Sequence, residues 1–170
     1  MALTKIGSAA LPAGSLIQTK SASVTSAISV ASSSTNTFVD LGLSLAITPS
    51  FSSSKILVMV NALVSNNVGT AHFRLVRGST AISVGAAASD RTQSSVSIRD
   101  APTPYGHMAI VISVNHLDSP STTSAVTYKV QGTLGSTYNG YFYLNRTPLD
   151  ENADYGVRGA STITLQEIAV

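Results

Sequence analysis

Hydrophobic and polar residues alternate with a period of two along most of the chain. In "AVTYKVQ" (125–131), Val126, Tyr128 and Val130 point one way, and Thr127, Lys129 and Gln131 the other. The same pattern predicts strands over 14–20, 23–31, 36–48, 55–65, 71–78, 80–87, 94–100, 107–118, 125–132, 138–146 and 161–170. The serine-rich stretch 21–35 alternates Val24, Ser26, Ile28 and Val30, so it reads as strand rather than linker. Gly42 marks a bulge or bend, and Pro49 closes that strand. Segment 55–65 is the most apolar and reads as a central strand buried on both faces; 107–118 reads as a second core strand. A hairpin is expected around Gly78-Ser79, and Asn139-Gly140 is a tight-hairpin signal. The last segment places Ile163, Leu165 and Glu167 on one face. No segment carries a helical period. About ten short strands with polar turns imply an all-β fold, an antiparallel β-sandwich of jelly-roll type.

Composition adds a constraint. At 170 residues the chain suits one domain with a sizeable core. Hydrophobic residues make up 44% but charged residues only 11%, against roughly a quarter in ordinary domains. Ser and Thr supply roughly a quarter of the chain, so hydroxyls must do the solvating that Lys and Glu usually do. A surface so poor in charge is expected to be covered in part by other subunits. The net charge of +2 is too small and too scattered for nucleic acid; Arg74, Arg77, Arg91 and Arg99 read as strand and loop solvation. There is no cysteine, hence no disulfide framework and no thiolate metal site. The opening "MALTKIGSAALPAGSLIQ" lacks the apolar run of a signal peptide, and no stretch has the length to cross a bilayer. Synthesis in the cytoplasm without a secretion address, and no membrane insertion, are the expectations.

Catalytic constellations are not legible. His72, His107 and His116 accompany many serines, but no G-x-S-x-G elbow exists. His116 and Asp118 share one face of a strand end without a third metal ligand. Asp150, Asn152 and Asp154 alternate like the start of a calcium loop. The glycine then falls at the seventh position instead of the sixth, and Ser161 stands where the closing Glu belongs, so no metal is expected. Asn145-Arg146-Thr147 matches a glycosylation sequon but reads as part of a turn. A carbohydrate-processing enzyme would need two carboxylates across a cleft, and Asp118, Asp150, Glu151, Asp154 and Glu167 show no such paired spacing. Tyr141 and Tyr143 share a strand face; a tyrosine offers a flat apolar body and a hydrogen-bonding tip to a neighbouring subunit or a sugar ring. With Tyr105 and Tyr155, on the loops 100–106 and 147–159, they are the candidate ligand or host contacts.

Several stretches taken in order carry a resemblance: "LPAGSLIQTKSASVTS", "TFVDLGLSLAITPSFSSSKILVMVNALVS", "FRLVRGSTAISVG", "LDSPSTTSAVTYKVQ", "YLNRT" and the terminal "STITLQEIAV". Together they resemble a group of tailed-phage virion proteins, notably of marine and cyanobacterial phages, in which a related domain ends tail-fibre-like proteins or stands alone. The resemblance implies a non-enzymatic, homotrimeric jelly roll of the TNF/C1q style, without cofactor, displayed on the virion surface in a short tail fibre, spike or head fibre. Host-receptor binding, for instance of a surface glycan, is part of that implication. Long fibres carry a shaft before this domain; the short lead here raises the alternative of a capsid decoration or cement protein. The expected division is an anchoring segment or first strand at 1–20 and the sandwich at 21–170. Leu3, Ile6, Leu11, Leu16 and Ile17 are the residues expected to hold the capsid or tail.

Overall fold

The structure is a computed structural model and describes residues 11–32, 36–99, 106–135 and 137–170. Leu3, Ile6 and Tyr105 lie outside these residues. Eleven strands are described: β1 (Leu16–Val24), β2 (Ile28–Ser32), β3 (Val39–Ile47), β4 (Lys55–Asn66), β5 (Thr70–Arg77), β6 (Thr80–Ile82), β7 (Val96–Arg99), β8 (Ile110–Asp118), β9 (Val126–Leu134), β10 (Gly140–Leu144) and β11 (Ser161–Ile168). They form two antiparallel sheets. The first holds β1, β2, β4, β8, β10 and β11; the second holds β3, β5, β6, β7 and β9. The chain crosses between sheets at most connections, as in a jelly roll, and the sheets close on one core. The all-β antiparallel sandwich expected from the period of two is what the chain forms.

Alternation decides which side each strand buries. Along β4, Ile56, Val58, Val60, Ala62 and Val64 are all inaccessible to solvent. They meet Leu41, Leu43, Ile47, Phe73, Leu75 and Tyr128 of the other sheet within one cluster. Fully burying each large aliphatic side chain stabilises by about 1.5–3 kcal/mol. Phe73 and Phe142 meet edge to face across the sandwich, with centroids 5.8 Å apart. Gly132 on β9 makes room for them: a Cβ there would lie 2.9 Å from the Phe142 ring and 3.1 Å from that of Phe73.

Gly42 sits where the β3–β9 register shifts, with φ of +90°, so it is the bulge that its position in the sequence suggested. The hairpin at Gly78-Ser79 also forms, with Arg77 opposite Thr80. Other expectations are corrected. Asn139-Gly140 does not turn a hairpin, because β9 and β10 belong to different sheets. This segment instead docks on the turn after β4: the Tyr141 amide donates to Asn67 Oδ1 at 2.8 Å. The segment 80–87 keeps only three residues of strand. Segment 107–118 reaches the core through Ile112, with Val114 packed against it, but β8 is an edge strand that pairs with β4 alone among the described residues. β4 is central, but only one of its faces is buried; Leu57, Met59 and Leu63 on the other are partly open.

On one side β4 changes partners. β11 pairs with it from Lys55 to Asn61, and β10 from Val64 to Asn66. The break is mended by Asn145, just after β10, and by Ser161, which opens β11. The Asn145 amide donates to Leu63 O at 2.8 Å, and the Leu63 amide donates to Ser161 Oγ at 3.0 Å. Ser161 Oγ donates to Asn145 Oδ1 at 2.6 Å, and Asn145 Nδ2 donates to Val24 O and Ser26 O. Asn145 adopts φ of 62°, a conformation that asparagine tolerates better than most residues. Its side chain is inaccessible to solvent with its amide hydrogens engaged, so the sequon cannot present an acceptor nitrogen.

Glu167 closes one end of the sandwich and is also inaccessible to solvent. Gln18 Nε2 and the Ser50 amide donate to its carboxylate at 2.6 Å each, and Ser50 Oγ donates at 3.1 Å. Burial alone would raise its pKa; the donors led by Gln18 outweigh burial and hold it below the usual carboxylate range.

Two outcomes follow from these groups. Asn145→Ala strands the Ser161 hydroxyl and two backbone carbonyls and strains the backbone; we expect a loss of about 2–4 kcal/mol in urea unfolding, with Ser161→Ala costing about 1–2 kcal/mol. Glu167 has a depressed pKa in the folded state, so its contribution is complete above the unfolded carboxylate value of about 4.5 and is lost as pH falls through the lower folded value. Unfolding measured between about pH 6 and pH 3 should steepen in the wild type. Glu167→Gln should be less stable at pH 6 and lack that component of the slope.

Candidate functional site

The sequence candidates gather at two places. On β10, Tyr141 and Tyr143 point to the outer side of the first sheet, and their rings stack with centroids 6.2 Å apart at 19°. Tyr141 is 46% exposed, whereas Tyr143 is almost covered. The covering group is Arg146, whose guanidinium lies 4.6 Å from the Tyr143 centroid. Burial raises the Tyr143 pKa, partly opposed by the Arg146 charge.

Arg146 also organises the loop that follows. It donates to Thr147 O at 2.9 Å and Pro148 O at 2.8 Å, and lies 3.3 Å from Asp150 Oδ2. A β-bridge joins Arg146 to Arg158, and Arg158 forms an ion pair with the other oxygen of Asp150. The loop is thereby closed at its base by two cations sharing one carboxylate. Further out, the Tyr155 hydroxyl donates to Glu151 Oε2 at 2.9 Å, which raises the tyrosine pKa. The Tyr155 ring packs on His107 at 4.5 Å, bringing in the turn that precedes β8. Tyr155 itself is 55% exposed.

A shallow open cavity of ≈ 220 Å³ lies in this loop, lined by Asp150, Glu151, Asn152, Ala153, Gly156 and Arg158. Asp150 and Asn152 line it, but Asp154 does not. Asp150 faces guanidinium groups, and no group of three or more His, Cys, Asp or Glu is placed to hold a metal among the described residues.

The other carboxylates serve the scaffold. Asp118 accepts from Arg77 Nη1 at 2.8 and 3.0 Å and from the Tyr128 hydroxyl at 2.7 Å, tying β8 to the second sheet. Burial, with Asp118 beside it, drives the Tyr128 pKa well above the ordinary phenol value. Asp118 and Glu167 flank Ile56 in one row of the first sheet, and the three are at most 6% exposed. Neither carboxylate lines the cavity in the 150–158 loop. His116 faces inward from β8, opposite Val58, while Asp118 is taken by Arg77 and Tyr128.

Of the expected anchoring residues, Leu11 is partly exposed and Leu16 is 57% exposed. Leu16 and Ile17 open β1, so both belong to a strand paired with β11. Residues 12–15 are stitched to the chain end: the Gly14 amide donates to Ala169 O and the Ala169 amide to Ser15 O, each at 2.9 Å. Sequence reasoning missed Arg146 and Arg158 as organisers of the loop. The available signal was Arg146 four residues before Asp150.

One further surface had no sequence label. On the outer side of the first sheet, β8 presents Val111, Ser113, Asn115 and Leu117. Leu63, Asn61, Met59 and Leu57 lie beside them on β4, and Thr162, Thr164 and Gln166 beyond on β11. Thr19, Ser21 and Ser23 of β1 complete the rows. None of these side chains carries a charge. The outer side of the second sheet is its opposite: Arg74 lies 3.9 Å over the Phe38 ring and donates to Gln131, and Asp40 accepts from Gln131 and Lys129. Those donors, Lys129 first, hold the Asp40 pKa below its ordinary value.

No family model and no curated protein matches the sequence. Among solved structures, the chain is similar to one in the crystal structure of the infectious bursal disease virus VP2 subviral particle, at 12% identity and a TM-score of 0.39. The match covers 90% of this chain and 38% of that one.

Proposed function

We propose that this protein is a non-enzymatic structural component of a bacteriophage virion surface, working as a homotrimer in a short fibre or spike and touching the host through its loop face. The observation that carries the reading is the ordered series of segments, from "LPAGSLIQTKSASVTS" to "STITLQEIAV", resembling tailed-phage virion proteins over nearly the whole chain. The structure supports it in kind. Asp118, Asp150 and Glu167, three of the eight acidic residues, are bound into the scaffold. Tyr141 and Tyr155 present rings to solvent beside the loop that Arg146 closes, an arrangement suited to stacking on a sugar. Three copies would multiply such a contact on a repetitive surface by avidity.

The uncharged middle of the first sheet's outer face, from Leu57 to Leu63 on β4 and from Val111 to Leu117 on β8, favours a second reading, a capsid decoration protein whose copies pack against one another and the head lattice. Cryo-EM of intact particles separates the two. Density for this sandwich at the distal tail or on a fibre supports host contact; density at capsid threefold positions supports decoration. Absence from purified particles overturns both.

Under the fibre reading, Tyr141→Ala and Tyr155→Ala together should lower adsorption of assembled particles to host cells by about tenfold, the equivalent of ~1.4 kcal/mol. Purified protein should release no reducing sugar from host polysaccharide; turnover abolished by replacing one Asp or Glu would refute the non-enzymatic assignment.

A further inference from the structure

A strand at the edge of a sheet leaves half its backbone groups unpaired and invites another chain, and proteins usually blunt such edges. This sandwich does so at the other edges described. β6 has three residues, β7 four and β2 five. β1 carries a register break near Leu16 and a lysine at position 20; β3 carries the Gly42 bulge and Asp40. β8 has none of these devices. It pairs with β4 through nine consecutive residues without a register shift, and contains neither glycine nor proline. Its outward row, Val111, Ser113, Asn115 and Leu117, has no charge, and the two apolar members are 62% and 47% exposed.

That row reads the same in both directions: apolar, polar, polar, apolar. An antiparallel pairing of β8 with its own copy about Val114 sets Val111 against Leu117 and Ser113 against Asn115. Moving the register by two residues sets apolar against polar, and moving it by one turns the outward row inward. The uncharged row also lets two identical surfaces meet without repulsion, whereas a partner of either charge would find nothing to complement. We propose that β8 is a self-association edge, joining two copies across a two-fold axis at Val114 so that the first sheet runs unbroken through both. The occupant is a second copy of this chain. The inference goes beyond the virion reading, because the pairing rests on the strand alone and holds whether the two copies are single chains or members of two trimers.

The absence of cysteine makes the register directly readable, since an introduced thiol is the sole one in the chain. Ser113→Cys and Asn115→Cys proteins, mixed and oxidised, should form a disulfide between the two variants, while each alone should not. In sedimentation of the full chain, Val111→Lys should halve the assembly mass. The double variant V111K/L117E should restore it, because each introduced charge then faces its opposite across the axis. Far-UV circular dichroism checks that these outward substitutions leave the sandwich folded. Cross-linking as strong within either variant alone as in the mixture, no cross-link at all, or a mass unchanged by Val111→Lys overturns the proposal.

Discussion

The twelve-residue strand β4 has more hydrogen-bonding length than either neighbour on one side can satisfy: β11 has eight residues and β10 five. Two strands laid end to end must leave a joint, and an unpaired backbone group buried at a joint is costly. The chain places asparagine and serine there, and their side chains take the place of backbone partners. Fixing Asn145 also fixes the residue after it. Arg146 leaves the joint beside Tyr143 and reaches Asp150, so the shape of the 146–158 loop follows from how β4 is completed.

A second consequence concerns charge. Asp118 joins β8 to the second sheet through Arg77 and Tyr128, Glu167 gathers Gln18 and Ser50 at one end, and Asp40 knits β3 to β9. Arg74 and Gln131 extend that last network across the outer side of the second sheet. With charges committed to these tasks, the middle of the first sheet's outer side is left to hydroxyls, amides and a few apolar groups, between Lys55 at one end of β4 and Arg146 over Tyr143 at the other. Hydroxyl pairs such as Ser21 and Thr164, 3.0 Å apart, satisfy one another along the strands. Such a face is soluble without being repulsive toward its own kind.

Much of the fold was legible because a period of two is a direct signature of a half-buried strand. The alternation of Ile163, Leu165 and Glu167 placed even the buried carboxylate on the correct side. Connectivity was less so. Asn139-Gly140 carries a local turn signal, but whether the next strand returns to the same sheet is decided by where Phe142 finds Phe73, a contact between residues far apart in sequence. The centrality of a strand was equally hidden. "ILVMV" in β4 and "IVISV" in β8 look alike, yet one has partners on both sides and the other on one among the described residues. For the candidate site, the tyrosines were visible as residue types, while the Arg146–Asp150–Arg158 closure depends on a β-bridge that no local pattern announces.

The likeness of β4 and β8 has a physical reading. Strands in a sheet interior can be apolar and regular because both edges are occupied; edge strands ordinarily cannot be, since regularity and low charge promote pairing with another chain. β8 has the sequence of an interior strand: Ile110, Val111, Ile112 and Val114, no proline, and no charge before Asp118. Asp118 is already bound by Arg77 and Tyr128 and so cannot guard the edge. An interior sequence at an exposed edge conflicts with the care taken at the other edges described. The conflict disappears when the sheet continues into another copy, where β8 becomes interior.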